Sequence, residues 1–135
     1  MPKLETCFTP ALFEPGLHSG SIVVIIDILR ATSSICTAFE HGAESIIPVA
    51  GVEEARIYKK QGFLVAAERD GIILDFADLG NSPFNFSREN IQGKTIVYST
   101  TNGTGIIRMA STAGRIVIGS FLNITSLCNW LITQD

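Results

Sequence analysis

Four stretches of the chain set polar, chemically capable residues directly after an aliphatic run. The first is Asp27, which closes Ile22 to Ile26 and is followed by Arg30, Thr32, Ser33 and Ser34. The second is Glu68-Arg69, the third Ser99-Thr100-Thr101-Asn102-Gly103-Thr104, and the fourth Gly119-Ser120. Two carboxylates brought together, Asp27 and Glu68, would offer oxygen donors to Mg²⁺, a hard cation that binds through one or two carboxylates and keeps several waters. Thr100 to Thr104, placed between a strand and a helix, carries the N–H and hydroxyl groups needed to surround a phosphate or sulfonate oxygen. Arg30 and Arg69 each present a guanidinium that donates to two oxygens of an anion at once. Each feature has a plain structural alternative. Asp27 can cap a helix while Glu68 faces solvent, the threonine-rich stretch can be an ordinary cap with a turn glycine, and either arginine can be a surface ion-pair partner.

Other chemistries lack their residues. No Cys is followed at the sixth position by Arg, so the cysteine-phosphatase loop is absent. Asp27-Ile28-Leu29 has Leu where haloacid-dehalogenase-type phosphatases place a second Asp. The threonine stretch is neither of the glycine-rich nucleotide-binding patterns. His18 and His41 lie beside turn signals, without metal-ligand spacing, and both read as surface residues.

The elements that must position these residues follow from hydrophobic periodicity. Ser21 to Ile26, Ser45 to Val49 and Phe63 to Ala67 read as strands. Between the first two, Ala31, Ile35, Ala38 and Phe39 mark one face of a helix that Gly42 stops. Between the next two, Val52, Ala55 and Tyr58 face inward, Glu53, Glu54, Arg56, Lys59 and Lys60 face water, and Gly62 ends the helix. The pattern resumes with a strand at Thr95 to Tyr98, a helix at Gly105 to Ala113, a strand at Arg115 to Ile118 and a last helix from Asn123 with the stripe Ile124, Leu127, Cys128 and Leu131. Leu4 to Phe8 is a further strand candidate, and Arg69-Asp70-Gly71 turns the chain into a short hairpin through Ile72 to Leu74. Unbroken apolar strands are buried on both faces. The fold class is therefore α/β: a three-layer α/β/α arrangement with a mostly parallel sheet and a short antiparallel hairpin at its edge. Ligands of such sheets sit beyond the carboxyl ends of the strands, where the four polar stretches fall. The long loop Asp75 to Lys94 is a further functional candidate.

Composition narrows the function classes. At 135 residues the chain amounts to one domain or part of one, against ~150 residues per domain. A net charge of −3 disfavours a polyanionic nucleic-acid partner. The 46% hydrophobic and 17% charged content suits a packed core rather than a disordered tail. The longest aliphatic run falls far short of the ~20 residues that cross a bilayer. The first residues lack a secretory signal's basic and apolar regions, which predicts a cytoplasmic location. Cys7, Cys36 and Cys128 are odd in number and read as reduced and mostly buried.

Taken together, Ile26-Asp27-Ile28-Leu29-Arg30-Ala31-Thr32-Ser33, Ala67-Glu68-Arg69, Asp78-Leu79-Gly80-Asn81-Ser82-Pro83, Thr100-Thr101-Asn102-Gly103-Thr104 and Gly119-Ser120-Phe121-Leu122-Asn123 resemble, in the same order, the 2-phosphosulfolactate phosphatase family. The resemblance covers nearly the whole chain. It implies a Mg²⁺-dependent acid phosphatase that hydrolyses (R)-2-phospho-3-sulfolactate to 3-sulfolactate and phosphate, a step of coenzyme M biosynthesis in methanogens; bacterial members need not serve that pathway. Family members continue past the last helix, with a segment bearing a Glu-Asp pair. Residues 1–135 are thus expected to be a single α/β domain, the N-terminal part of a longer phosphatase fold.

Under this reading Asp27 and Glu68 hold Mg²⁺ and, with Arg30, carry catalysis. Arg30, Thr32, Ser33, Arg69 and the Thr100, Thr101, Asn102, Gly103, Thr104 turn hold the phosphate or sulfonate. Asn81 and Ser82 close over the substrate, and Asn123 contacts it. Direct attack by water and an aspartyl-phosphate on Asp27 both stay open. Two readings from other classes stand beside it: a non-catalytic small-anion binding module, inactive without the C-terminal segment, and a subunit of a homo-oligomer associating through exposed sheet and helix surface.

Overall fold

The computed structural model describes residues 3–134, apart from the side chains of Leu17 and His18. The readings that touch Met1, Pro2, His18 and Asp135 lie outside the described residues. In chain order the strands and helices are β1 (Ile22–Ile26), α1 (Ala31–Glu40), β2 (Ser45–Pro48), α2 (Val52–Lys60), β3 (Leu64–Arg69), β4 (Ile72–Ile73), α3 (Arg88–Ile91), β5 (Thr95–Ser99), α4 (Gly103–Met109), β6 (Arg115–Gly119) and α5 (Ile124–Ile132). Gly42 and Gly62 end α1 and α2 at φ +89°, a left-handed conformation that L side chains rarely adopt.

The architecture is three-layer α/β/α around mostly parallel strands. Hydrogen bonding divides the strands into two sheets. One is the parallel pair β1–β6, in register from Ile22 opposite Arg115 to Ile26 opposite Gly119. The other runs β2-β5-β3-β4, parallel except for the last pair. That antiparallel edge is the hairpin read from Asp70-Gly71: φ is 53° at Asp70 and 81° at Gly71. Two consecutive left-handed residues make the turn that matches strand twist, and Asp-Gly suits it.

Both faces of β3 and β5 are buried, as unbroken apolar runs require. On one side Ala66, Ile96 and Tyr98 pack with Ala31, Ile35 and Ala38 of α1 and with Phe86 and Ile91. On the other, Val65, Ala67 and Val97 pack with Ala55 of α2 and Val49. Apolar side chains on both faces fix the sheet, and the polar residues after each strand are thereby aligned at one rim.

Several local expectations need correction. Residues 4–8 form no strand; they are exposed, so their apolar side chains bury too little surface to hold them as one. Phe39 is 50% exposed, at the margin of the α1 stripe. The helix expected at Gly105 to Ala113 begins at Gly103 and passes into a 3₁₀ turn at Ala110–Thr112. In α5, Leu127 and Leu131 are half-buried alongside Trp130, whereas Ile124 and Cys128 are exposed. Cys7 is exposed too and Cys36 only half-buried, so the cysteines are not mostly buried. His41 is half-buried, its ring Nδ1 bonded to the Phe86 carbonyl oxygen. Asp75 to Lys94 is an ordered connection containing a 3₁₀ turn at Pro83–Asn85, α3, and a parallel bridge between Leu79 and Ala66. No helix among the described residues is long and apolar enough to cross a membrane.

Candidate active site

The turn after β1 is closed by a reciprocal pair. The Thr32 N–H donates to the Asp27 carbonyl oxygen at 2.9 Å, and the Asp27 N–H donates to Thr32 Oγ1 at 3.0 Å. Ser33 Oγ donates to the Ile28 carbonyl oxygen at 2.8 Å. The turn after β5 repeats the device, with the Thr100 N–H donating to Thr104 Oγ1 at 3.1 Å and the Thr104 N–H to Thr100 Oγ1 at 3.3 Å. These hydroxyls satisfy backbone groups at helix starts. They shape the rim, and none of Thr32, Ser33 or Thr104 lines the cavity there.

Gly103 brings the two turns together. A Cβ at this position would stand 2.5 Å from Ala31 Cβ and 3.3 Å from both Asp27 Oδ2 and Thr100 Oγ1. Its role is therefore close approach rather than ligand contact. Glu68, at the end of β3, is 4% exposed, which removes the solvent-facing alternative. Its Oε1 accepts from the Thr101 N–H at 2.9 Å; its Oε2 accepts from the Gly71 N–H at 2.8 Å and from Thr101 Oγ1 at 3.3 Å. Thr101 Oγ1 in turn accepts from the Asp70 N–H at 2.8 Å. A buried carboxylate is stable only with such donors around it, and here the β3–β4 hairpin and the β5–α4 turn supply them.

The cavity between these turns measures about 260 Å³ and is lined by Asp27, Leu29, Arg30, Glu68, Asp70, Gly71, Asn81, Thr100, Thr101 and Asn102. Burial raises the Asp27 carboxyl above its ordinary value; a hydrogen bond from the Ala31 N–H opposes the rise and the charge of Glu68 adds to it. Arg30 is the cationic residue of the lining, and its guanidinium forms no hydrogen bond or ion pair with another described residue, which leaves it for a ligand. Asn81 is held from below, where the buried Tyr98 hydroxyl donates to its Oδ1.

The remaining expected site residues lie elsewhere. The Arg69 guanidinium donates to the Glu68 carbonyl oxygen at 2.6 Å, Ser99 Oγ at 2.9 Å and the Ala50 carbonyl oxygen at 3.0 Å, tying strand ends together outside the cavity lining. Ser82 forms a capping box with Asn85 at the 3₁₀ turn. Asn123 Oδ1 accepts from the Ser120 N–H at 2.9 Å and its Nδ2 donates to the Ile118 carbonyl oxygen at 2.9 Å, so it closes the β6–α5 turn. Residue patterning did not single out Leu29, Asp70 and Gly71 as lining residues, nor Tyr98 beneath Asn81. Asp70-Gly71 carried only a turn signal, and Tyr98 reads as one more strand residue.

The donor chemistry of Asp27 and Glu68 fits Mg²⁺. Both are oxygen donors, and the Asp27 carboxylate is disfavoured by burial and by its acidic neighbour, a situation a cation relieves. Among the described residues no group of three His, Cys, Asp or Glu side chains is placed to hold a metal ion. A two-carboxylate site completed by water and substrate oxygens matches the habit of Mg²⁺.

A family model described as 2-phosphosulpholactate phosphatase matches residues 7–135. The chain belongs to that family. It is 42% identical over 116 residues to a protein of Caldicellulosiruptor saccharolyticus, an alignment covering 84% of this chain and 48% of the relative. With a Thermotoga maritima protein the identity is 44% over 112 residues, covering 83% and 49%. With one from Clostridium perfringens strain SM101 it is 39% over 139 residues, covering 98% and 56%. All three relatives are named probable 2-phosphosulfolactate phosphatase. The chain spans about half the length of the curated relatives it matches. The five quoted motifs of the 2-phosphosulpholactate phosphatase family all fall inside the matched stretch.

Proposed function

We propose that this cavity is the site of a phosphoric monoester hydrolase and that the whole protein converts (R)-2-phospho-3-sulfolactate to 3-sulfolactate and phosphate with Mg²⁺ as cofactor. One observation carries the reading: two carboxylates from separate strand ends, Asp27 and Glu68, line one cavity with the Arg30 guanidinium and the Asn81 carboxamide. Family membership and the names of the relatives support the same reaction class.

In this reading Asp27 and Glu68 hold the Mg²⁺, which when bound withdraws charge from the phosphoryl oxygens. The Thr101 and Gly71 N–H groups keep the Glu68 carboxyl aimed. Arg30 donates to two non-bridging oxygens, and the Asn81 amide adds a third donor. Water adds to phosphorus as the ester P–O bond breaks, releasing the alcohol and inorganic phosphate. These donors are in place before reaction, so stabilising the developing charge needs no rearrangement.

The test is phosphate release from 2-phospho-3-sulfolactate by the whole protein, with added Mg²⁺ and again with EDTA. Release that depends on Mg²⁺ is expected. No release from this substrate with Mg²⁺ present overturns the proposal, and equal release in EDTA removes the metal from it.

A further inference from the structure

Tyr98 lies beneath the cavity, 1% exposed. Its hydroxyl donates to Asn81 Oδ1 and stands 3.5 Å from the Ala31 carbonyl oxygen. The main chain of Asn81 is held independently, because its carbonyl oxygen accepts from Ser34 Oγ at 3.0 Å. Asn81 is thus fixed twice, by β5 through its side chain and by α1 through its backbone.

A carboxamide has an acceptor end and a donor end. With Oδ1 engaged from below, the Nδ2 donors are the end left for the cavity that Asn81 lines with Asp27, Arg30 and Glu68. Turned by half a rotation, the same side chain would present an acceptor to an incoming oxyanion and repel it. The orientation of one amide therefore decides whether this wall attracts an anion. Asp27, Glu68 and Asp70 already line the cavity, with Arg30 as the cationic side chain of that lining, so a reversed amide would add one more acceptor to an acidic wall.

We propose that Tyr98 is a positioning residue, whose buried phenol selects the donor-outward orientation of Asn81 and thereby sets the cavity's affinity for a phosphate oxyanion. This rests on the reading above that the cavity takes a phosphate group. The phenol remains a donor because burial raises its pKa above the usual value; the Ser34 hydrogen bond opposes the rise, and the charges of Asp27 and Glu68 add to it. Ordinary tyrosine burial explains the ring, which packs edge-on against Phe86. It does not explain why the hydroxyl meets the side-chain amide of a residue that lines the cavity.

The experiment measures KM and kcat for the phosphate monoester, and calorimetric binding of inorganic phosphate, in the whole protein with Mg²⁺. Wild type, Tyr98→Phe, Asn81→Ala and the double variant are compared. Tyr98→Phe is expected to raise KM and the phosphate Kd roughly tenfold, with a smaller change in kcat. The double variant is expected to be no worse than Asn81→Ala, because no amide remains to be oriented. Losses that add in the double variant, or a Tyr98→Phe protein that melts lower with unchanged Kd, overturn the positioning role while leaving the phosphatase reading intact. Failure of the wild type to bind phosphate overturns that reading and this inference with it. Should Tyr98→Phe not fold, the Asn81 side-chain amide resonances of the wild type decide: they shift on adding phosphate, or the proposal falls.

Discussion

Gly103 lies against Ala31 so closely that a Cβ on the glycine would stand 2.5 Å from the alanine methyl. Neither atom belongs to a flexible side-chain end, so the β1–α1 and β5–α4 turns would have to separate to admit one carbon. Gly103→Ala is expected to lower stability by about 1–3 kcal/mol. It should also lower phosphate affinity, since the same movement parts Asp27 from Thr100 and Thr101. Urea denaturation and phosphate titration check both; an unchanged denaturation midpoint would contradict the packing argument.

The Asp27 carboxyl is raised above its ordinary value of 3.8, chiefly by burial. A raised folded-state pKa means that the protonated form is favoured on folding, and that this contribution is lost as pH rises through the folded value. At neutral pH the metal-free chain therefore carries a destabilising charge at Asp27. Asp27→Asn should abolish phosphate release yet raise Tm by on the order of 2 °C at pH 7. The gap should close as pH falls below the ordinary carboxylate value. A variant that melts lower than wild type at every pH would refute this.

Asp78 shows the opposite sign. Burial pushes its carboxyl up, but the Lys59 ammonium and the Val65 N–H, which donates to Oδ2 at 2.9 Å, outweigh that and hold it below the usual range. The stabilisation is present above the ordinary value of 3.8 and is lost as pH falls through the lower, folded one. Asp78→Asn should cost on the order of 1 kcal/mol at neutral pH and nothing once Asp78 is protonated in both states. Melting curves across acid pH measure this; a cost independent of pH would rule out the charge as its source.

The two arginines should separate cleanly by measurement. Arg30→Ala is expected to raise KM for the phosphate monoester roughly tenfold or more with little change in Tm, because the guanidinium has no hydrogen-bond or ion-pair partner among the described residues. Arg69→Ala removes donors from three protein oxygens and should lower stability by about 1–3 kcal/mol. If Arg69→Ala raised KM without loss of Tm, its assignment to the scaffold would be mistaken.

The strands were legible because they are unbroken aliphatic runs, and the rim because each run ends on a polar residue. Asp27, Arg30, Glu68, Asn81 and Thr100 to Asn102 could be nominated from that pattern and from the family motifs. The fate of their hydroxyl and guanidinium neighbours could not. Thr32, Ser33 and Thr104 have the side chains of ligands, yet their hydrogen bonds close helix starts, a choice decided by backbone geometry. Arg69 follows Glu68 in sequence, but alternation along a strand sends neighbouring side chains to opposite faces. Tyr98 was hidden because a buried aromatic on a strand is ordinary, and only the position of its hydroxyl beneath Asn81 sets it apart.

Asp27 follows β1 and Glu68 lies on β3, strands of two sheets that no ladder hydrogen bond joins. Their separation is governed across a seam by the apolar packing of α1 and Ile118 against β3 and β5 and by close contact at Gly103, rather than by a continuous backbone lattice. A cation or oxyanion gripping both carboxyl-bearing turns would act as a rivet through that seam, so occupancy should slow amide exchange along β1 and β3 together rather than in either strand alone.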